Sequence, residues 1–231
     1  MKGATKAKEL ATIPNLLPYN PKNQLSLAGG VPYNVVNGTG LKEQLISMAR
    51  VESELNNKGT GNANRVEIPY GTQIRKIGNK KVLQPNVKYK TKEGYNYETN
   101  EFSRIDSVEA ELKLGTGKRN QYAQSNVGES DRIRGDYPER DDGGHLIASQ
   151  FKGSGDIDNL VPMNSQINEA GGKWHQLEQE WASALDRKES VKVKLKPQYI
   201  GNSARPDSIM VEYSIDAGRA KKVTIQNQIG G

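Results

Sequence analysis

The chain has 231 residues, of which 34% are hydrophobic and 26% charged, room for one domain of ordinary size plus an extension but not for a multi-domain machine or a large core. It has no cysteine, which excludes thiolate catalysis, disulfide staples and every cysteine-based zinc site. A net charge of +6 favours a polyanionic partner such as nucleic acid or an anionic membrane, although ordinary basic enzymes share that value.

Residues 1–17 carry lysines but no apolar run of signal-peptide length, and no stretch is able to span a bilayer. The chain therefore reads as soluble, without a membrane partner, and its export would need a signal on a longer parent polypeptide or another system. Up to about residue 70 the sequence is rich in Asn, Gly, Pro and Lys, residues that punctuate regular structure. Within it Leu41, Leu45, Ile46, Met48 and Leu55 recur at roughly helical spacing, which predicts one short amphipathic helix. Residues 1–80 are thus expected to form a linker or docking extension, and residues 81–231 the functional domain.

From Lys81 the texture changes. Residues 87–91 and 95–99 alternate around Lys92, Glu93 and Gly94 as the two strands of a hairpin would, and residues 105–114 continue with a third strand. Residues 173–187 place Trp174, Leu177, Trp181, Ala184 and Leu185 on one helical stripe, where both tryptophans are expected in the core. Val191, Val193 and Leu195 then alternate with Lys192, Lys194 and Lys196, which reads as a strand with a solvated face; residues 209–215 and 223–225 supply further strands. Strands, then helical segments, then strands predict an α+β domain with helices packed on a mostly antiparallel sheet.

The chemistry concentrates in Asp141, Asp142, Gly143, Gly144 and His145, followed by Asn159, Leu160, Val161 and Pro162, then Asn168, Trp174 and Glu178. The two glycines predict a tight turn with close approach to a ligand, and Leu146, Ile147 and Ala148 anchor the segment so that His145 sits at the edge of a cleft. A neutral imidazole removes a proton from water at physiological pH. A divalent cation offsets the charge of a phosphodiester transition state, and magnesium takes hard oxygen ligands of the kind an Asn amide offers. Asp141 reads as a structural turn residue, Asp142 is open between the two roles, and His175, without motif support, reads as structural.

This constellation resembles the DNA/RNA non-specific endonuclease family, whose sites are built on the ββα-metal or His-Me finger motif, over roughly residues 87–225. The family's Asp-Arg-Gly-His ends in the general base, which the resemblance assigns to His145. Its Asn-Ile/Leu-x-Pro, Asn and Trp-x-x-x-Glu elements match Asn159 to Pro162, Asn168, and Trp174 with Glu178. The resemblance implies that Asn168 binds the metal, that Glu178 supports the catalytic site, and that Asn159 lies near substrate. Magnesium is the implied cofactor, with manganese able to substitute.

Two departures stand out. Gly143 occupies the place of the family's Arg, so its charge must come from Arg119, Arg132, Arg134 or Arg140, whose guanidinium forks suit phosphate. Residues 169–173 also lengthen the spacing before Trp174. The variant looks most like the C-terminal nuclease modules of bacterial secreted polymorphic toxins of the type VII, LXG-like kind. That likeness implies a module secreted within a longer toxin, acting on DNA or RNA in the cytoplasm of a target cell and held in check by a cognate immunity protein. The competing reading is a basic nucleic-acid-binding module without catalysis.

Overall fold

The computed structural model of the chain describes residues 24–26, 32–34, 65–127 and 131–231. Two compact units are present, Met1–Gly61 and Asn62–Gly231. In the first, the described residues form an antiparallel pair, β1 (Gln24–Ser26) and β2 (Pro32–Asn34), with Leu25 opposite Tyr33. The helix expected across residues 41–55 lies outside the described residues.

In the second unit the described elements are, in chain order, β3 (Val66–Glu67), β4 (Ile74–Ile77), β5 (Lys80–Leu83), β6 (Val87–Lys90), β7 (Asn96–Thr99) and β8 (Ile105–Glu111). There follow α1 (Gln121–Asn126), β9 (Asp141–His145), β10 (Leu160–Asn164), α2 (Ser165–Asn168), α3 (Lys173–Asp186), β11 (Val191–Tyr199), β12 (Pro206–Ile215) and β13 (Lys221–Gln226). Seven strands form one sheet in the order β13-β12-β11-β8-β7-β6-β3, antiparallel throughout except where β3 runs parallel to β6. The expected α+β architecture is the observed one.

Local sequence explains most of these strands. Val87 and Tyr89 point inward while Lys88 and Lys90 point out, and β6 turns into β7 where Gly94, at φ +97°, donates to the Thr91 carbonyl. Tyr89 faces Tyr97 across the hairpin with rings stacked 5.4 Å apart. On β11, Val191, Val193 and Leu195 are buried and Lys192 and Lys196 exposed, while Lys194 pairs with Glu109, so the lysine face is solvated as expected. α3 buries Trp174, Trp181 and Ala184, and Trp181 meets Tyr213 of β12 edge-on at 5.6 Å.

Residues 65–80 are built into this unit, ahead of the boundary expected at residue 81. β3 pairs with β6, Arg65 ties Glu98 and Asp106, and Gln73 donates to the buried Asp158 at 2.7 Å. The polar, punctuated sequence there hides short pairings whose partners lie far along the chain.

β8 and β11 are neighbours in the sheet, yet residues 112–190 lie between them in sequence. That long excursion carries α1, the separate antiparallel pair β9–β10, α2 and α3. It is where the candidate site forms.

Candidate active site

β9 and β10 pair in register from Asp141 opposite Asn164 to His145 opposite Leu160. The Asp-Asp-Gly-Gly-His segment is therefore a strand, not the tight turn its glycines suggested. The glycines serve close packing instead. A Cβ on Gly143 would lie 2.3 Å from the Gln124 carbonyl oxygen of α1, and one on Gly144 would lie 2.7 Å from the Met163 Cβ. Neither position has room for a side chain in this packing.

His145 ends β9. Its backbone carbonyl accepts the Trp174 indole N–H at 3.1 Å, and its imidazole Nε2 is buried without a hydrogen-bond partner. Burial first, and the nearby Arg119 charge second, hold the imidazole pKa down to about 4, so the ring is neutral at physiological pH. Glu178, one turn beyond Trp174 on α3, is pushed up to about 7 by burial, against the Trp174 N–H and Arg119, which act to lower it. His145, Glu178, Arg119 and Trp174 thus form one electrostatic cluster. Arg119 itself is exposed, its Nε 3.3 Å from the Ser149 hydroxyl.

A second cluster lines a cavity of about 420 Å³ formed by Gln121, Gln124, Ser125, Arg132, Asp142, Gly143 and Asn168. The Asn168 Nδ2 donates to Asp142 Oδ2 at 3.3 Å. A carboxylate can only accept, so this bond turns the Asn168 Oδ1 away from Asp142, and no donor among the described residues reaches it. A free amide oxygen beside a carboxylate is a hard donor set that fits magnesium, which keeps most of its waters and needs few protein ligands. Among the described residues no group of three or more His, Asp or Glu side chains is arranged to hold a metal. β9 joins the two clusters, carrying Asp142 in one and His145 in the other.

Asn159, expected near substrate, is completely buried. Its Oδ1 accepts from Ile147 N at 2.9 Å and the Tyr97 hydroxyl at 2.8 Å, and its Nδ2 donates to the Ile147 and Ser154 carbonyls at 2.8 and 2.7 Å. With every donor and acceptor engaged it cannot meet substrate; it braces the chain just beyond His145. Arg140 donates to Glu169 at 2.7 Å and lies 3.6 Å from Asp142, while Arg134 is exposed on the loop before β9. His175 contacts only its own surroundings, accepting from Gly171 N at 3.5 Å.

Sequence reading missed the support beneath β9. Asp141 is buried, bonded to Ile133 N at 2.8 Å and to both Arg205 Nε at 2.7 Å and Nη2 at 3.0 Å. Arg205 lies 64 residues away in sequence, so no local pattern announces the pair. Trp174, expected only as core, also fixes the carbonyl of His145.

A family model described as DNA/RNA non-specific endonuclease matches residues 85–217. The type VII secretion system protein EssD of Staphylococcus aureus strain USA300 is 41% identical over 161 residues, 68% of this chain but 25% of that protein, so the chain spans about a quarter of the relative's length. Among solved structures, the magnesium-bound NucA of Streptococcus agalactiae matches 64% of this chain and 80% of its own at 18% identity and TM-score 0.48. The Sda1 nuclease with bound zinc matches 65% and 76% at 15% identity and TM-score 0.49. The matched span begins just before β6, ends just after β12 and encloses β9, β10, α2 and α3 with both clusters, and the chain belongs to the DNA/RNA non-specific endonuclease family.

Proposed function

We propose that this chain is a magnesium-dependent endonuclease that hydrolyses phosphodiester bonds of DNA, and of RNA, without sequence preference. The observation that carries the reading is His145: a buried imidazole, neutral at physiological pH, with Nε2 left without a partner. When the ring proton is on Nδ1, Nε2 offers a lone pair that takes a proton from water as the oxygen attacks phosphorus. The Trp174 bond to the His145 carbonyl and the Asn159 bonds just beyond hold that ring in place.

Asn168 would hold the metal through Oδ1, with Asp142 orienting the amide. Magnesium, when bound, supplies charge neutralisation at the phosphate and at the departing oxygen. Glu178 shares the neighbours Trp174 and Arg119 with His145 and would order water in the site. Manganese, with similar oxygen preferences, would substitute. Sequence tolerance follows if contacts fall on phosphate and sugar rather than on base edges.

The relative's name, type VII secretion system protein, supports an association with type VII secretion, and in this reading the chain is the nuclease module of a longer secreted antibacterial toxin that acts in the cytoplasm of a target cell. A nuclease of that kind endangers its own producer, so we include a cognate immunity protein covering the cleft in this reading.

Digestion of supercoiled plasmid, single-stranded DNA and RNA by the purified full chain, with magnesium or with EDTA, tests the proposal. Wild type is expected to cleave only with metal. His145→Ala, shown folded by circular dichroism, is expected to lose roughly 10²–10⁴-fold in rate. Absence of cleavage by folded wild type would leave a nucleic-acid-binding module in its place.

A further inference from the structure

Gly143 leaves the cavity without a side chain at the one strand position between Asp142 and Gly144, and packing of α1 forbids one there. A phosphodiester entering beside Asn168 would meet Asp142, a like charge. Among the residues lining the cavity the only cation is Arg132.

Its placement is specific. Arg132 Nε donates to the Asp141 carbonyl at 2.6 Å, and Nη1 donates to the Gln124 carbonyl at 2.9 Å and to that of Ser125. A guanidinium has five N–H donors, so these three bonds leave the two on Nη2, for which no partner exists among the described residues. The group is thereby locked in orientation by α1 and β9 with one arm of the fork unused, in the wall of the cavity that Asn168 also lines.

The other three candidate arginines lack this combination. Arg140 is neutralised by Glu169 and Asp142. Arg119 lies with His145 and Glu178 and does not line the cavity. Arg134 is exposed, with no hydrogen bond to fix it among the described residues.

We propose that Arg132 is a phosphate-binding cation on the Asn168 side of the cleft: its Nη2 donates to a non-bridging oxygen of the phosphate held at Asn168, in place of the side chain that Gly143 cannot carry. This rests on the endonuclease reading above. Because the guanidinium also pins α1 to β9, its removal has a structural effect that a test must separate from loss of a phosphate contact.

Salt dependence makes that separation. In a His145→Ala background, which prevents cleavage, the dissociation constant for a fluorescein-labelled DNA duplex is measured by anisotropy with magnesium between 50 and 300 mM NaCl. Adding Arg132→Gln is expected to weaken binding about tenfold and to reduce the slope of log affinity against log salt by about 0.9, one phosphate contact. An unchanged slope in a folded variant overturns the proposal, whatever the loss of thermal stability. If the Gln variant does not fold, Arg132→Lys decides: it keeps the charge but lacks the locked fork, and is expected to lose about tenfold in affinity. Full affinity in the Lys variant overturns the proposal. Failure of the underlying reading would show separately, as absence of cleavage by wild type.

Discussion

His145 and Glu178 are both buried against Arg119, and burial moves them in opposite senses. The folded imidazole sits at about 4 against an ordinary 6.5, so between these values the unfolded chain binds a proton the folded one refuses. Its contribution to stability is present above pH 6.5 and lost as pH falls towards 4. Glu178 sits at about 7 against an ordinary 4.5, so the folded chain holds a proton the unfolded one has released. Its contribution is present below pH 4.5 and lost as pH rises through 7. Each shift corresponds to about 3 kcal/mol across its window. Metal-free wild type should therefore show nearly level contributions from this pair between pH 4.5 and 6.5. His145→Ala leaves Glu178 unopposed, and its stability relative to wild type should fall as pH rises across that range; Glu178→Gln should show the reverse trend. Urea denaturation at three pH values in EDTA measures both, and parallel profiles for all three proteins would contradict the two shifts.

At the scale of elements, β9 is the piece on which the site depends, and its glycines are spacers. The Gly143→Ala methyl would meet backbone atoms of Gln124 at 2.3 to 2.8 Å, which no rotamer change relieves. α1 must move away, at a cost of about 1–3 kcal/mol. Since α1 supplies Gln121, Gln124 and Ser125 to the cavity wall and two carbonyls to Arg132, cleavage should fall alongside stability. A urea midpoint and a plasmid assay on the same preparation check this; an unaltered midpoint would mean the strand and helix are not packed as described.

At the scale of the molecule, the site is braced from the end of the chain. Asn227, buried just after β13, accepts from Asn164 N at 2.8 Å and donates to the Pro162 and Pro206 carbonyls at 2.9 and 2.7 Å. It joins β10 and α2, which carries Asn168, to β12 of the large sheet. Asn227→Ala strips three buried backbone groups of their partners and is expected to cost about 3 kcal/mol or more. The magnesium requirement should rise at the same time, measured by titrating cleavage with metal. The sequence by itself determined what depends on near neighbours: the β6–β7 hairpin from its alternation and Gly94, the β11 strand with its lysine face, and α3 from its tryptophan spacing. Only the tertiary structure decided what depends on distant segments meeting. That Gly143 and Gly144 lie in a strand follows from β10 and α1 lying against them. Asn159 became a brace because Tyr97 closes over it, and Asp141 found Arg205 from beyond β11. Val66 and Glu67 joined the large sheet through β6, and Gln73 reached Asp158 from the same span. Which arginine lines the cavity with Asn168 was likewise undecidable from the sequence, because a guanidinium's direction is set by the carbonyls it meets, and those come from α1 and β9 only once both have folded.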